Sequence, residues 1–149
     1  MKHVDSFSHG LYWTGESEAD LLAWLCGLSD CPPVTQPQLL RCDNHPDSPA
    51  FCGFVQADPR TGVARRRCVA CARMTDLFDS GERWTFPDTF ECLGCRQSLV
   101  ELAVGIAAGG DGTAEWLALA ARCVGCGRIS GLTDRLLDRI PINEVLAAV

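Results

Sequence analysis

"CVACARMTDLFD" at residues 68–79 and "CVGCGRISGLTD" at residues 123–134 align without a gap in the frame C-V-x-C-x-R-[MI]-[TS]-x-L-x-D. Two copies of so specific a frame are easier to reach by duplication than by chance. Working outward, each copy is preceded by another close pair: "CDNH" (42–45) before the first and "CLGC" (92–95) before the second. Between the pairs lie 22 residues in the first set and 27 in the second. The duplication also selects ligands where two choices exist. Cys92 and Cys95 hold the places of Cys42 and His45, so His45, rather than Cys52, completes the first set.

The chemistry follows from the spacing. Two residues between ligands let a tight turn present both side chains to one ion, and two such turns complete a tetrahedron. The predicted metal ligands are therefore Cys42, His45, Cys68 and Cys71 in one site, and Cys92, Cys95, Cys123 and Cys126 in the other. Four protein ligands leave no open position, which marks structural rather than catalytic sites and implies two Zn2+ ions per chain. Iron suits the four-cysteine set as well. Of the remaining thiols, Cys26, Cys31 and Cys52 read as buried small apolar residues. A further site from His3, His9, Cys26 and Cys31 is the alternative for two of them.

Each loop between pairs has the make-up of a β-hairpin. "AFCGFVQA" and "VARRRC" flank the turn "DPRTG", and "SLVELAVGI" and "EWLALAARC" flank "AAGGDGTA". Glycine and aspartate supply the turns, while β-branched and aromatic residues fill the arms. Two knuckles and a hairpin make a zinc ribbon. The expected fold is thus small, metal-stabilised and mainly β with short helices: two tandem zinc ribbons flanked by an N-terminal helix and C-terminal helical turns.

The flanks are read the same way. Ser17 caps a helix over residues 17–28, with Asp20 at its third position and Leu21, Trp24, Leu25 and Leu28 on one apolar face covering a ribbon. "CPPVTQPQ" (31–38) reads as a stiff proline-rich linker. Trp84, Phe86 and Phe90 in "GERWTFPDTFE" (81–91) read as packing between the ribbons, with a stacking platform as the alternative. "LTDRLLDRI" (132–140) reads as two helical turns with Leu132, Leu136, Leu137 and Ile140 inward, followed by a short helix "EVLAAV" capped by Asn143. The organisation is then 1–38 as helix and linker, 39–80 as first ribbon, and 81–149 as second ribbon with its helices. Units this small bury little apolar surface alone, so metal is expected to dominate their folding.

Composition bounds the function. In 149 residues with 47% hydrophobic content there is room for one ordinary domain or a few very small ones, and no disordered tail. The longest apolar run, "SLVELAVGIAAGG" (98–110), contains Glu101 and is too short to span a bilayer, so no membrane partner is expected. "MKHVDSFSHG" lacks a secretory signal, and ten cysteines in a reducing compartment point to metal rather than disulfides; both predict a cytoplasmic protein. The net charge of −6 argues against a generic nucleic-acid coat, yet residues 39–74 hold six arginines against three aspartates. That basic island, +3, lies between two acidic flanks.

The first set carries a resemblance. Cys42 and His45, then Ser48, Pro49, Ala50 and Phe51, then Cys68 and Cys71 running on to Asp76, Phe78 and Asp79, resemble the CHC2-type zinc-binding domain of bacterial and phage DNA primases. The resemblance covers about 40 residues of the chain. It implies a ribbon with three cysteines and one histidine on zinc, and a role in contacting single-stranded template DNA.

The residues allow such contact independently. Arg65, Arg66 and Arg67 enter Cys68, Arg60 sits at the hairpin tip, and Arg73 follows the knuckle. Alternate residues of a strand share a face, so Arg65 and Arg67 can meet phosphates together, with Phe51 or Phe54 stacking a base. A solvated arginine face is the bland alternative. No nucleophile–base pair or phosphate-cradling loop is visible, which predicts a non-enzyme without a small-molecule substrate. Two functions compete: nucleic-acid contact in replication or transcription, and a protein–protein adaptor docking on RNA polymerase or a phage or replication complex. A thiol redox sensor is the third.

Overall fold

The computed structural model describes residues 13–28, 32–45, 47 and 50–149. His3, His9, Cys31, Ser48 and Pro49 lie outside the described residues, and with them the alternative histidine–cysteine site. Eight strands run β1 (Trp13–Thr14), β2 (Gln36–Leu39), β3 (Cys52–Ala57), β4 (Ala64–Cys68), β5 (Met74–Asp76), β6 (Val100–Ala108), β7 (Thr113–Cys123) and β8 (Arg128–Pro141). Two helices, α1 (Glu18–Cys26) and α2 (Ile142–Ala147), complete the elements of the described residues. The fold is mainly β, as the hairpin patterns predict.

Both hairpins form, β3 with β4 and β6 with β7, and each gains a third antiparallel strand after its second knuckle: β5 on β4 and β8 on β7. The 12-residue repeat is thus a repeat of knuckle and third strand. The two units share one sheet in the order β1-β8-β7-β6-β3-β4-β5, with β2 also on β6. One edge of β6 serves both neighbours. Val100 and Glu101 face β3, while Ala103 to Ile106 face β2. The joint passes through Gly53, where a Cβ would stand 2.0 Å from the carbonyl oxygen of Arg67.

Alternation along β6 and β7 builds two cores. On one face Ala103, Ala107, Trp116, Ala118 and Ala120 receive Leu21, Trp24 and Leu25 of α1. Small side chains let the helix lie close. Its start is held by Asp20, whose carboxylate accepts from the Glu16 and Ser17 amides at 2.7 and 3.3 Å. On the other face Leu102, Val104, Ile106, Leu117 and Leu119 meet Phe51, Val55, Ala64 and Leu77 from the first unit. The first hairpin therefore folds back across the second. Its tip is anchored where the Thr133 hydroxyl donates to the Asp58 carbonyl at 2.7 Å. Residues 39–80 and 81–149 share a core, so metal is not alone in opposing chain entropy.

Three flanking expectations are corrected. Residues 132–140 are not helical turns but part of β8, which pairs along β7. Register shifts between Ala114 and Trp116 and between Leu119 and Ala120 break the twofold alternation, so the apolar spacing imitates a helix. Leu136, expected inward, is 79% exposed. The C-terminal helix does form, but its N-cap is Pro141 and Asn143 lies inside it. The end of the proline-rich linker is strand β2, which tolerates Pro37 as an edge strand does.

Candidate metal centres and the outer face of the first hairpin

The eight predicted ligands come together in two groups, Cys42–His45–Cys68–Cys71 and Cys92–Cys95–Cys123–Cys126. Within each group all ligand atoms lie within 4.8 Å of one another. Sγ–Sγ separations are 3.6 Å for Cys42–Cys71, 3.6 Å for Cys92–Cys126 and 3.4 Å for Cys95–Cys123. A disulfide needs about 2.05 Å. A tetrahedron with Zn–S bonds of about 2.3 Å has edges of roughly 3.8 Å, close to the distances seen. The four-ligand sets can each hold one metal ion.

Local backbone makes the knuckles. Amides of Ala72, Arg96 and Gly127 donate to the carbonyls of Cys68, Cys92 and Cys123 at 2.9, 2.8 and 2.8 Å. All three residues have left-handed φ, of 61°, 67° and 79°. Each directly follows the second cysteine of its pair. In the remaining pair the His45 amide donates to the Cys42 carbonyl at 2.9 Å.

The side-chain chemistry fits a cation. His45 Nε2 is buried with no hydrogen-bond partner, as a ring nitrogen kept for a metal would be. Amide donors surround the sulfurs: Asn44 Nδ2 to Cys71 Sγ and the Gly94 amide to Cys92 Sγ, both at 3.4 Å. The Arg73 amide and the Asn44 side chain lower the Cys71 thiol to about 6. Burial pushes Cys123 up to about 12. At Cys92 burial is outweighed by the amides of Cys95 and Gly94, which bring it to about 7. A positive ion among these sulfurs would stabilise their thiolate forms.

Among the described residues the other two thiols, Cys26 and Cys52, stand outside both groups. Cys52 lies on β3 opposite Glu101, outside the first group. It is half-buried, and Cys26, expected in the core, is exposed.

The arginine island divides by strand face. Arg65 and Arg67 point outward from β4, while Arg66 is buried. Arg66 Nη1 and Nη2 donate to the carbonyls of Arg41 and Val149 at 2.7 and 3.2 Å, with the guanidinium 5.1 Å from the Phe51 ring. Phe51 is only 2% exposed. Neither Arg66 nor Phe51 is placed to touch nucleic acid, because the inward face of the hairpin packs on the shared core. Arg73 pairs with Asp43 at 3.2 Å, and the well-exposed Arg60 lies 3.8 Å from Asp58.

The outward face alternates cations with rings. Arg65 lies 4.1 Å over Trp84 and is held by Asp76 through Nε at 2.5 Å; Arg67 lies 5.4 Å from the Phe54 ring. Trp84 continues to Phe86 at 6.5 Å, edge to face, and Phe86 is 83% exposed. Of the three linker aromatics only Phe90 packs on the core. Trp84 and Phe86 instead extend the hairpin surface, which the aromatic content of 81–91 signals but its spacing does not. A cavity of about 280 Å³ opens on this face beside Phe54, Arg67 and Met74.

No family model, curated protein or solved structure matches this chain. No described helix is long and apolar enough to cross a membrane.

Proposed function

We propose that this chain is a non-enzymatic, cytoplasmic zinc protein that contacts single-stranded nucleic acid in replication or transcription. Each cluster holds one structural Zn2+, and the two knuckle–hairpin units are zinc ribbons. The observation that carries the nucleic-acid reading is the outward face of β3 and β4, where Arg65 and Arg67 each lie over an aromatic ring. Stacked guanidinium–aromatic surfaces accept bases and phosphates of a strand without demanding sequence. The resemblance of the first unit to a primase zinc-binding domain supports the same reading. Metal at Cys68 braces the end of the strand that bears these arginines.

A second reading, a protein–protein adaptor, draws on the second cluster. Leu93 is 73% exposed at one knuckle tip, and Val124 is exposed at the other. Apolar tips beside an acidic chain fit a protein partner better than a phosphate backbone.

The deciding experiment is fluorescence anisotropy of labelled single-stranded and duplex oligonucleotides across a salt series, with wild type and Arg67→Ala. Single strands are expected to bind more tightly than duplex, with affinity falling as salt rises and Arg67→Ala weakening it. Absence of binding at low salt overturns the nucleic-acid reading and leaves the adaptor.

A further inference from the structure

The cavity on the outward face supports a narrower assignment, which rests on the nucleic-acid reading above. Phe54, Arg67 and Met74 are register partners across β3, β4 and β5, and so form one outward row. Gln56, Arg65 and Asp76 form the next. The rows differ in how far they are already satisfied. In the second, Asp76 accepts from both Nε and Nη2 of Arg65 at 2.5 and 3.2 Å, and Gln56 Nε2 donates to the Pro87 carbonyl at 2.8 Å. In the first, the Arg67 guanidinium makes no hydrogen bond or ion pair among the described residues and contacts the Phe54 ring. Met74 is 55% exposed at the end of that row. Thr89 and Ser98 wall the cavity on the β3 side.

We infer that this cavity takes a single unpaired nucleobase, stacked on the Phe54–Arg67–Met74 row, and that the base rather than phosphate supplies most of the affinity. Size supports one flat ring system. The volume of about 280 Å³ is at the small end of ligand pockets, which run to roughly 1,000 Å³. Chemistry supports it too: the row offers an aromatic face, a flat cation and a thioether, with the polar residues Thr89 and Ser98 lining the cavity beside it. Phosphate has fewer takers than the sequence promises. Of the five arginines from Arg60 to Arg73, Arg65 is held by Asp76, Arg66 is buried on two carbonyls and Arg73 pairs with Asp43, leaving Arg67 and Arg60, whose side chain is 87% exposed although it lies 3.8 Å from Asp58. Two phosphate contacts on a single strand give a salt slope of only about 1.4. A paired base is held in its stack and cannot enter, so the same cavity selects single strands.

The test compares a short oligothymidylate with an abasic oligomer of equal length and charge, using the metal-loaded protein in anisotropy titrations. The abasic oligomer is expected to bind about tenfold or more weakly at one salt concentration, since each stacked base contributes on that scale. Phe54→Leu keeps an apolar side chain but removes the ring, and Met74→Ala shortens an exposed one. Each is expected to weaken the base-bearing oligomer about fivefold or more, leaving the abasic one unchanged and two metal ions bound. Equal affinity for the two oligomers, or no effect of Phe54→Leu on a metal-replete protein, overturns the base assignment while the nucleic-acid reading stands. If neither oligomer binds, the nucleic-acid reading itself falls.

Discussion

The amide of Gly15 donates a 2.8 Å hydrogen bond to the carbonyl of Gly127, tying the chain ahead of α1 to the last knuckle of the second cluster. Arg122 seals the contact. Its Nε and Nη2 donate to the carbonyls of Gly15 and Glu16 at 2.9 and 3.0 Å, and its Nη1 to Glu101 at 2.6 Å. Gly15 and Glu16 are thereby clamped onto a candidate metal-ligand loop.

Gly127→Ala is expected to lower stability by about 1–3 kcal/mol. A Cβ there would stand 2.5 Å from the Gly15 carbonyl oxygen, and φ of +79° disfavours any side chain. Ala72 holds the matching place in the first unit with φ of 61°, so Ala72→Gly should be neutral or stabilise by up to about 1 kcal/mol. Urea melts of the two variants would measure the contrast. An unchanged Gly127→Ala midpoint would mean that the Gly15 segment yields without cost.

Elemental analysis should find two metal ions per wild-type chain, one in His45→Ala and two in Cys52→Ser. The orphaned Nε2 of His45 and the position of Cys52 outside the first group give this pattern. Loss of an ion from Cys52→Ser instead would show that the thiol displaces the imidazole.

Chelation should loosen the first unit before the second. β3 joins β6 through only Cys52 and Gly53, whereas β6, β7 and β8 are paired along most of their length and backed by α1. Hydrogen exchange after metal removal is expected to show lost protection in β3 to β5, with β6 and β7 still protected. Simultaneous loss throughout would mean that the shared core cannot stand without its ions.

Neighbouring arginines should behave as opposites. Arg66→Ala strands two carbonyls that its guanidinium now satisfies, at a cost of about 2–3 kcal/mol. Arg67→Ala, at an exposed site, should stay within about 0.5 kcal/mol of wild type. Thermal melts that rank the two the other way would contradict the strand-face assignment.

Asp79 should contribute stability that acid removes. Arg135, hydrogen-bonded to it from β8, holds its carboxyl below the ordinary carboxylate range, with Arg83 assisting. A folded-state pKa below the unfolded value of about 3.9 means the contribution is present above that pH. It is lost as pH falls through the lower folded-state value. With Asp79 about a third exposed, Asp79→Asn should cost no more than about 1 kcal/mol at pH 7. The gap to wild type should close as the solution is taken well below pH 4. A gap independent of pH would assign the effect to disturbed stacking of Arg135 on Phe78 rather than to the Asp79 charge.

The ligand sets, both hairpins, the Ser17 helix start and the repeat of the knuckle were legible in the sequence; the third strand that follows each knuckle was not. The legible features all rest on contacts within a few residues or on spacing between paired turns, and local geometry alone dictates those. What lay beyond reach depended on which faces meet. The apolar spacing of Leu132, Leu136 and Leu137 imitates a helix until the bulges in the β7–β8 ladder are known. Three adjacent arginines look alike until the first hairpin folds over the second, burying Arg66 and setting Arg65 and Arg67 against rings. Ala72 and Gly127 occupy the same place in a gap-free repeat with the same left-handed backbone. The approach of Gly15 makes a side chain more costly at Gly127 than at Ala72, because that clash comes from more than a hundred residues away in the chain.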